Sequence, residues 1–136
     1  MKLSFKSEYA CLAMIDLARH YSGGGVCRIA DISARMEIPK KFLEQILLIL
    51  KRTGYVKSQK GPEGGYKLAK SPDQIKLAEI IRLMTGALAP VESVSKYFYE
   101  PTPIEKSAPL IAVFQDIRDY TAKKLENTTF ADLIKE

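Results

Sequence analysis

A single histidine, His20, and two cysteines, Cys11 and Cys27, are all the imidazole and thiol chemistry available in 136 residues. One histidine excludes a catalytic or metal centre that needs two. Two cysteines are too few for a disulfide framework, and too few for a structural zinc site without other ligand types. No apolar run approaches the ~18 residues of a membrane span. The opening MKLSFKSEYA carries Lys2, Lys6 and Glu8 and no apolar stretch, so no secretory signal is expected. The expected setting is a reducing cytoplasm, away from membranes. A chain this short buries only about two-thirds of its unfolded surface, which makes a second independent core unexpected.

Acidic residues are scarce where basic ones gather. The chain has 21 Lys and Arg against 16 Asp and Glu, a net charge of +5. Residues 1–86 carry fifteen basic and eight acidic side chains, while residues 87–136 carry six and eight. Between Lys40 and Lys70 the balance is eight to two. Such a local field suits a polyanion, nucleic acid or an anionic surface, although a solvated basic face has the same composition.

Periodicity supplies the elements. Tyr9, Leu12, Ala13 and Leu17 recur at helical spacing and predict a helix over 6–21, with Ser4 or Ser7 as its cap. Gly23, Gly24 and Gly25 stop it, and Val26-Cys27-Arg28 has room for a short strand only. Ile29, Ile32 and Met36 give one face of a two-turn helix. Pro39 biases Ile38 away from the helical region and fits the first turn of a new helix. That helix carries a wide apolar stripe of Phe42, Leu43, Ile46, Leu47, Ile49 and Leu50, and Gly54 ends it. Two short helices meeting at Ile38 form a helix-turn-helix pattern. Residues 55–59 and 66–69 alternate apolar and polar, and the intervening KGPEGG marks a hairpin tip. A basic hairpin directly after a helix-turn-helix is a wing. Leu77, Ile80, Ile81 and Met84 predict a helix over 76–85.

Residues 86–106 contain Pro90, Pro101 and Pro103 and form a long loop. Ser107 then caps a helix of about 18 residues, with Pro109 in its first turn. Leu110, Ile111, Phe114, Ile117, Thr121 and Leu125 form its stripe, while Asp116, Arg118, Asp119, Lys123 and Lys124 occupy the rest. Such a helix packs on a second subunit or folds back on its own chain, and dimerisation is the favoured expectation. The fold expected is mostly α with a small β-hairpin wing, an α+β winged helix-turn-helix. Its divisions are 1–86 as DNA-binding domain, 87–106 as a candidate sensor or partner segment, and 107–136 as dimerisation helix and C-terminal helix.

Three stretches, MKLSFKSEYACLAMIDLA, IADISARMEIPKKFLEQIL and KGPEGGYKLAKSPDQIKLAEII, resemble the Rrf-type winged-helix regulators. The closing TTFADLI is similar to the start of that family's C-terminal helix. The most specific element is Gly61-Pro62-x-Gly64-Gly65-Tyr66 joined to Phe42-Leu43-Glu44-Gln45 at the family's spacing. The resemblance implies a homodimeric, sequence-specific DNA-binding transcription factor, usually a repressor, on near-palindromic operators of double-stranded DNA. Pro39, Lys40 and Lys41 then open a recognition helix facing phosphates and base edges. Phe42 stands where the family commonly has tyrosine, and loses a hydroxyl. Glu44 can accept from a cytosine amino group or pair internally with Lys40 or Lys41, and Gln45 can pair with adenine or pack at the stripe's edge. Lys60, beside Gly61 at the wing tip, is expected to reach a minor groove or a phosphate, and Ser4 and Lys6 the DNA backbone.

Cluster-binding members carry three cysteines in the loop matching 86–106, and this one has none. No iron–sulfur cofactor and no metal are therefore expected. The cysteine-poor loop, with Pro90-Val91-Glu92-Ser93, resembles the cysteine-metabolism repressor branch, which implies a metabolic enzyme as a candidate partner. Cys27 beside Arg28 is a candidate redox residue, since a nearby cation favours thiolate, although a small buried hydrophobe is the commoner role. His20 is expected at the surface, favoured by the helix dipole, and Cys11 in the core. Tyr97, Phe98 and Tyr99 can line a pocket or latch onto a partner subunit, and dimer packing is the favoured expectation. Two other functions compete. A winged-helix protein-interaction module would not need basic residues on wing and recognition helix. A small enzyme using Cys27 and His20 lacks a carboxylate at a recognisable spacing, and no enzyme is expected.

Overall fold

The computed structural model describes residues 1–135 as six helices and one hairpin. α1, Phe5–Arg19, starts at Ser4, whose side chain accepts from the Ser7 N–H. It buries Ala10, Ala13, Met14 and Leu17, and the small residues let other helices approach closely. α2, Ile29–Met36, and α3, Lys40–Arg52, pack on α1 and on each other. Between them Glu37 adopts a left-handed conformation, φ 52°. Ser33 ties the turn from both sides. Its carbonyl accepts from the Ile38 N–H at 3.1 Å, and its hydroxyl donates to the Ile38 carbonyl at 2.6 Å. Ile38 is buried under the turn. Pro39 lies one position earlier than expected, at the N-cap of α3, where its carbonyl accepts from the Leu43 N–H.

Only Leu43, Ile46, Leu47 and Leu50 of the expected α3 stripe are buried. Ile49 is half-buried, and Phe42 is exposed on the first turn, where its ring meets Tyr9 of α1 at the rim of the packing. β1, Val56–Gln59, and β2, Gly65–Leu68, pair antiparallel from Val56 opposite Leu68 to Gln59 opposite Gly65. Cys27 adds a one-residue third strand, exchanging two main-chain hydrogen bonds of 2.8 Å with Tyr66. The approach is close enough to require glycine at 65, where a Cβ would lie 2.3 Å from the Cys27 carbonyl oxygen.

α4, Leu77–Thr85, buries Ile80 in the main core and Ala78 and Ile81 in a second cluster with Leu88. Residues 86–106 form an ordered path with single 3₁₀ turns at Glu92–Val94 and Pro103–Lys106. Leu88, Ala89 and Val94 anchor it by burial. α5, Ala108–Glu126, is capped by Ser107 as expected and buries no residue completely. It is attached by Arg82–Glu126, by the Arg118 guanidinium donating to the Val94 carbonyl, and by Leu125 against the second cluster.

The chain end returns to its beginning. α6, Phe130–Leu133, opens with a capping box of Thr129 and Asp132. Phe130 is fully buried in the core of α1 to α4. The Leu77 N–H donates to the Thr128 carbonyl at 2.8 Å. Residues 128–134 thus share the hydrophobic core of residues 1–86, although they follow the long helix in sequence. Among the described residues, no helix is long and apolar enough to cross a membrane.

Candidate nucleic-acid interface

With its apolar side against α1 and α2, α3 turns Lys40, Lys41, Phe42, Glu44 and Gln45 outward, and Pro39 beside them is exposed. Lys41, Glu44 and Gln45 share one face at spacings of three and four. Leu48 continues that face. It is 45% exposed, and sequence reading passed over it because it lies inside the apolar run Leu47-Leu48-Ile49-Leu50. Among the described residues Glu44 makes no ion pair with Lys40 or Lys41, so its carboxylate is open to an outside donor. Phe42 is 44% exposed, with its ring 5.9 Å from that of Tyr9 between centroids. Tyr9 in turn stacks on Phe5 at 6.4 Å, which gives a row of three rings from α1 to α3.

β1 of the wing packs on α3, and Lys60 and Gly61 are exposed at the wing tip. Arg28 braces it, donating from Nη2 to the Pro62 carbonyl at 2.5 Å. The Ser4 hydroxyl is committed to capping α1 and also bonds the Ser7 hydroxyl, so less of it is free for an external phosphate. Lys6 is half-buried at that helix start.

α5 presents the second surface. Leu110 and Ile117 are exposed, and Ile111, Phe114 and Thr121 are half-exposed. Leu125 faces inward onto the chain's own second cluster, which removes it from the exposed stripe. Val113 and Tyr120 extend that stripe and were missed, because each lies beside the axis of the strongest apolar spacing. Tyr97, Phe98 and Tyr99 are also exposed. Arg82 and Lys96 both lie over the Tyr97 ring, in the wall of a cavity of about 230 Å³ between α4, α5 and the loop.

The thiols behave differently from the simplest sequence expectation. Cys27 is buried, and Arg28 is engaged at the wing instead of beside the sulfur. Burial pushes the Cys27 thiol above its ordinary pKa, Asp16 adds to this, and Arg35 opposes it. The cation-activated thiolate expected of a redox residue is therefore not formed. Cys11 is half-buried rather than fully in the core, and burial with the Glu8 carboxylate pushes its thiol up to about 11. His20 is half-exposed, and its Nδ1 lies 2.8 Å from the main-chain carbonyl of Asp16. The fold does bring a carboxylate to Cys27 and His20, that of Asp16. Its oxygen is 3.9 Å from the His20 ring nitrogen, too far for the hydrogen bond that would orient a catalytic histidine.

Residues 3–136 match the Rrf2 family, described as iron-dependent transcriptional regulator. The HTH-type transcriptional regulator CymR of Bacillus subtilis is 35% identical over 133 residues, covering 98% of this chain and 89% of that protein. The structure of CymR, the global cysteine regulator of B. subtilis, gives a TM-score of 0.79 at 34% identity, covering 98% of this chain and 96% of that one. That of T. potens IscR gives 0.76 at 30% identity, covering 98% and 86%. These relatives are transcriptional regulators, not enzymes. Iron in the family description raises the question of ligands. Segment 86–106 offers neither cysteine nor histidine, Cys11 lies at a core margin, and Cys27 is inside the main core. That donor set does not fit an iron–sulfur cluster.

Proposed function

Because this chain belongs to the Rrf2 family of transcriptional regulators, we propose that it acts as a homodimeric, sequence-specific DNA-binding repressor. The observation that carries the reading is the outward face of α3, where Lys41, Glu44, Gln45 and Leu48 stand together beside a wing tipped by Lys60. A helix lying in a major groove reads base edges from positions i, i+3, i+4 and i+7, the spacing of these four residues. Lys40, Lys41 and Lys60 supply phosphate contacts, Gln45 suits adenine, Glu44 suits cytosine, and Leu48 suits a thymine methyl. Phe42 adds apolar surface at the helix start, and Pro39 and Gly61 bring main chain close to the duplex. Ser4 and Lys6 contribute at the backbone through the N-terminus of α1.

Residues 1–86, with residues 128–134 folded onto them, form the reading unit. α5 pairs two such units through Leu110, Ile111, Val113, Phe114, Ile117, Tyr120 and Thr121. No finding supports a metabolic-enzyme partner. The test is binding of the whole protein to DNA fragments selected from a random pool, against unselected duplex, at several salt concentrations. The selected site should bind on the order of 10³-fold tighter or better, with affinity falling as salt rises. Equal, salt-insensitive binding to both would remove the proposal.

A further inference from the structure

Asp16 in the last turn of α1 and His20 at its C-cap are four residues apart, and the fold brings Cys27 against them from the strand beside the wing. Each offers one ligand atom, and the three atoms lie within 4.8 Å of one another. We propose that Asp16, His20 and Cys27 form a site for a single divalent transition-metal ion of the zinc or ferrous type.

The chemistry of the donors is specific. Carboxylate, imidazole and thiolate together suit borderline ions, and three protein ligands leave a fourth position for water. With usual bond lengths, adjacent donors around a tetrahedral ion stand about 3.5 Å apart, so closing the site takes a movement of about 1 Å. His20 can supply it, since its side chain is 43% exposed and also gives the ion an entry path. The other two donors are held in place. Asp16 is 1% exposed and takes Arg35 Nε and Nη2 at 3.0 and 2.9 Å. A carboxylate has about four lone-pair sites, so it can bind an ion and keep its arginine. Arg35 then acts as the outer hydrogen-bond partner that ligating carboxylates usually have. Ligation through His20 Nδ1, 3.9 Å from Asp16 Oδ1, exchanges its contact with the Asp16 main-chain carbonyl for the ion and puts the ring proton on Nε2. The Cys27 sulfur makes a long contact, 3.8 Å, to the Gly25 carbonyl, and the Arg35 guanidinium lies against it. On binding, Cys27 gives its proton to solvent and the sulfur bonds the ion, with no change of oxidation state.

The position gives the ion a consequence. Cys27 is bonded to Tyr66 of β2 through both main-chain groups, so an ion at Cys27 ties the end of α1 to the second strand of the wing. The site shares no residue with the α3 face, and its test does not depend on DNA binding. The probe is Co²⁺ alone, titrated into the reduced full-length protein. The expected result is a sulfur-to-cobalt charge-transfer band saturating at one ion per chain and bleached by Zn²⁺. The band should disappear in Cys27→Ser and stay in Cys11→Ser. In His20→Ala the affinity should fall on the order of tenfold or more. His20 is half-exposed, so that variant keeps the fold, and circular dichroism checks it. Asp16→Asn is a poor first test because it leaves Arg35 unpaired. No band at any cobalt concentration short of precipitation would overturn the site. So would a band that survives Cys27→Ser, or an affinity unchanged in His20→Ala.

Discussion

The main-chain N–H of Phe130 donates to the carbonyl of Ile75 at 3.0 Å, and the Phe130 ring is buried completely. The chain end therefore closes the core that the first helices open. Phe130→Ala removes a fully buried aromatic ring and is expected to cost about 3–5 kcal/mol. Chemical denaturation should show one transition at a markedly lower midpoint. An unchanged midpoint would mean that α6 is only loosely docked.

Most of the helix ends and the wing could be read in advance because their signals are local. Ser4, Ser107 and Gly54 mark helix ends by side-chain bonding or backbone freedom, and the wing is written in its glycines and Pro62. The return of Phe130 was not legible. Its helix has four residues, too few for a period, and its partner Ile75 lies on the far side of α5 in sequence. Leu48 was hidden for the opposite reason, since an unbroken apolar run conceals which member faces out. The environment of Cys27 also depends on the fold. The neighbouring Arg28 turns to the wing, and the arginine near the sulfur is Arg35 from α2.

Glu37 is the one non-glycine residue with positive φ among the described residues. Glu37→Gly removes the side-chain penalty of that left-handed turn and makes the unfolded chain more flexible. The first effect is about 1–2 kcal/mol and the second about 0.5–1, so a small net stabilisation is expected. Thermal unfolding of the two proteins side by side measures it, and a clear loss of stability would mean that the Glu37 side chain has a role of its own.

Ile117 tests the α5 seam without disturbing the single chain, because it is exposed there. Ile117→Asp should fold normally yet bury an unpaired charge in any dimer formed through this face, at a cost of several kcal/mol. Sedimentation velocity should then report monomer at concentrations where the parent is dimeric. A variant that stays dimeric places the seam elsewhere.

Both thiols are protonated at neutral pH in the metal-free protein, by burial foremost. A pKa raised on folding adds stability below the ordinary thiol value of 9.0. For Cys11 that contribution is lost as pH climbs from there towards about 11. Alkylation of both thiols by iodoacetamide should be slow at neutral pH, and that of Cys11 should accelerate only in this alkaline window. Rapid modification at pH 7 would show that the thiols open to solvent in the native state.

Lys60 and Leu48 separate affinity from sequence reading. Lys60 is an exposed cation at the wing tip, suited to phosphate. Each phosphate contact contributes about 0.9 to the slope of log affinity against log salt. A dimer of Lys60→Ala loses two symmetry-related contacts, so the slope should fall by roughly 2, equally on the selected site and on random duplex. Leu48 carries no charge and should leave the slope alone. Its apolar side chain can sense only a methyl group, which in the major groove means thymine. Replacing thymines of the selected site one at a time by deoxyuridine removes that methyl and nothing else. One position per half-site should weaken binding of the parent protein, and Leu48→Ala should be blind to the same change. A Leu48→Ala protein that responds to every deoxyuridine as the parent does would show that this leucine faces away from the bases. The recognition surface would then end at Gln45.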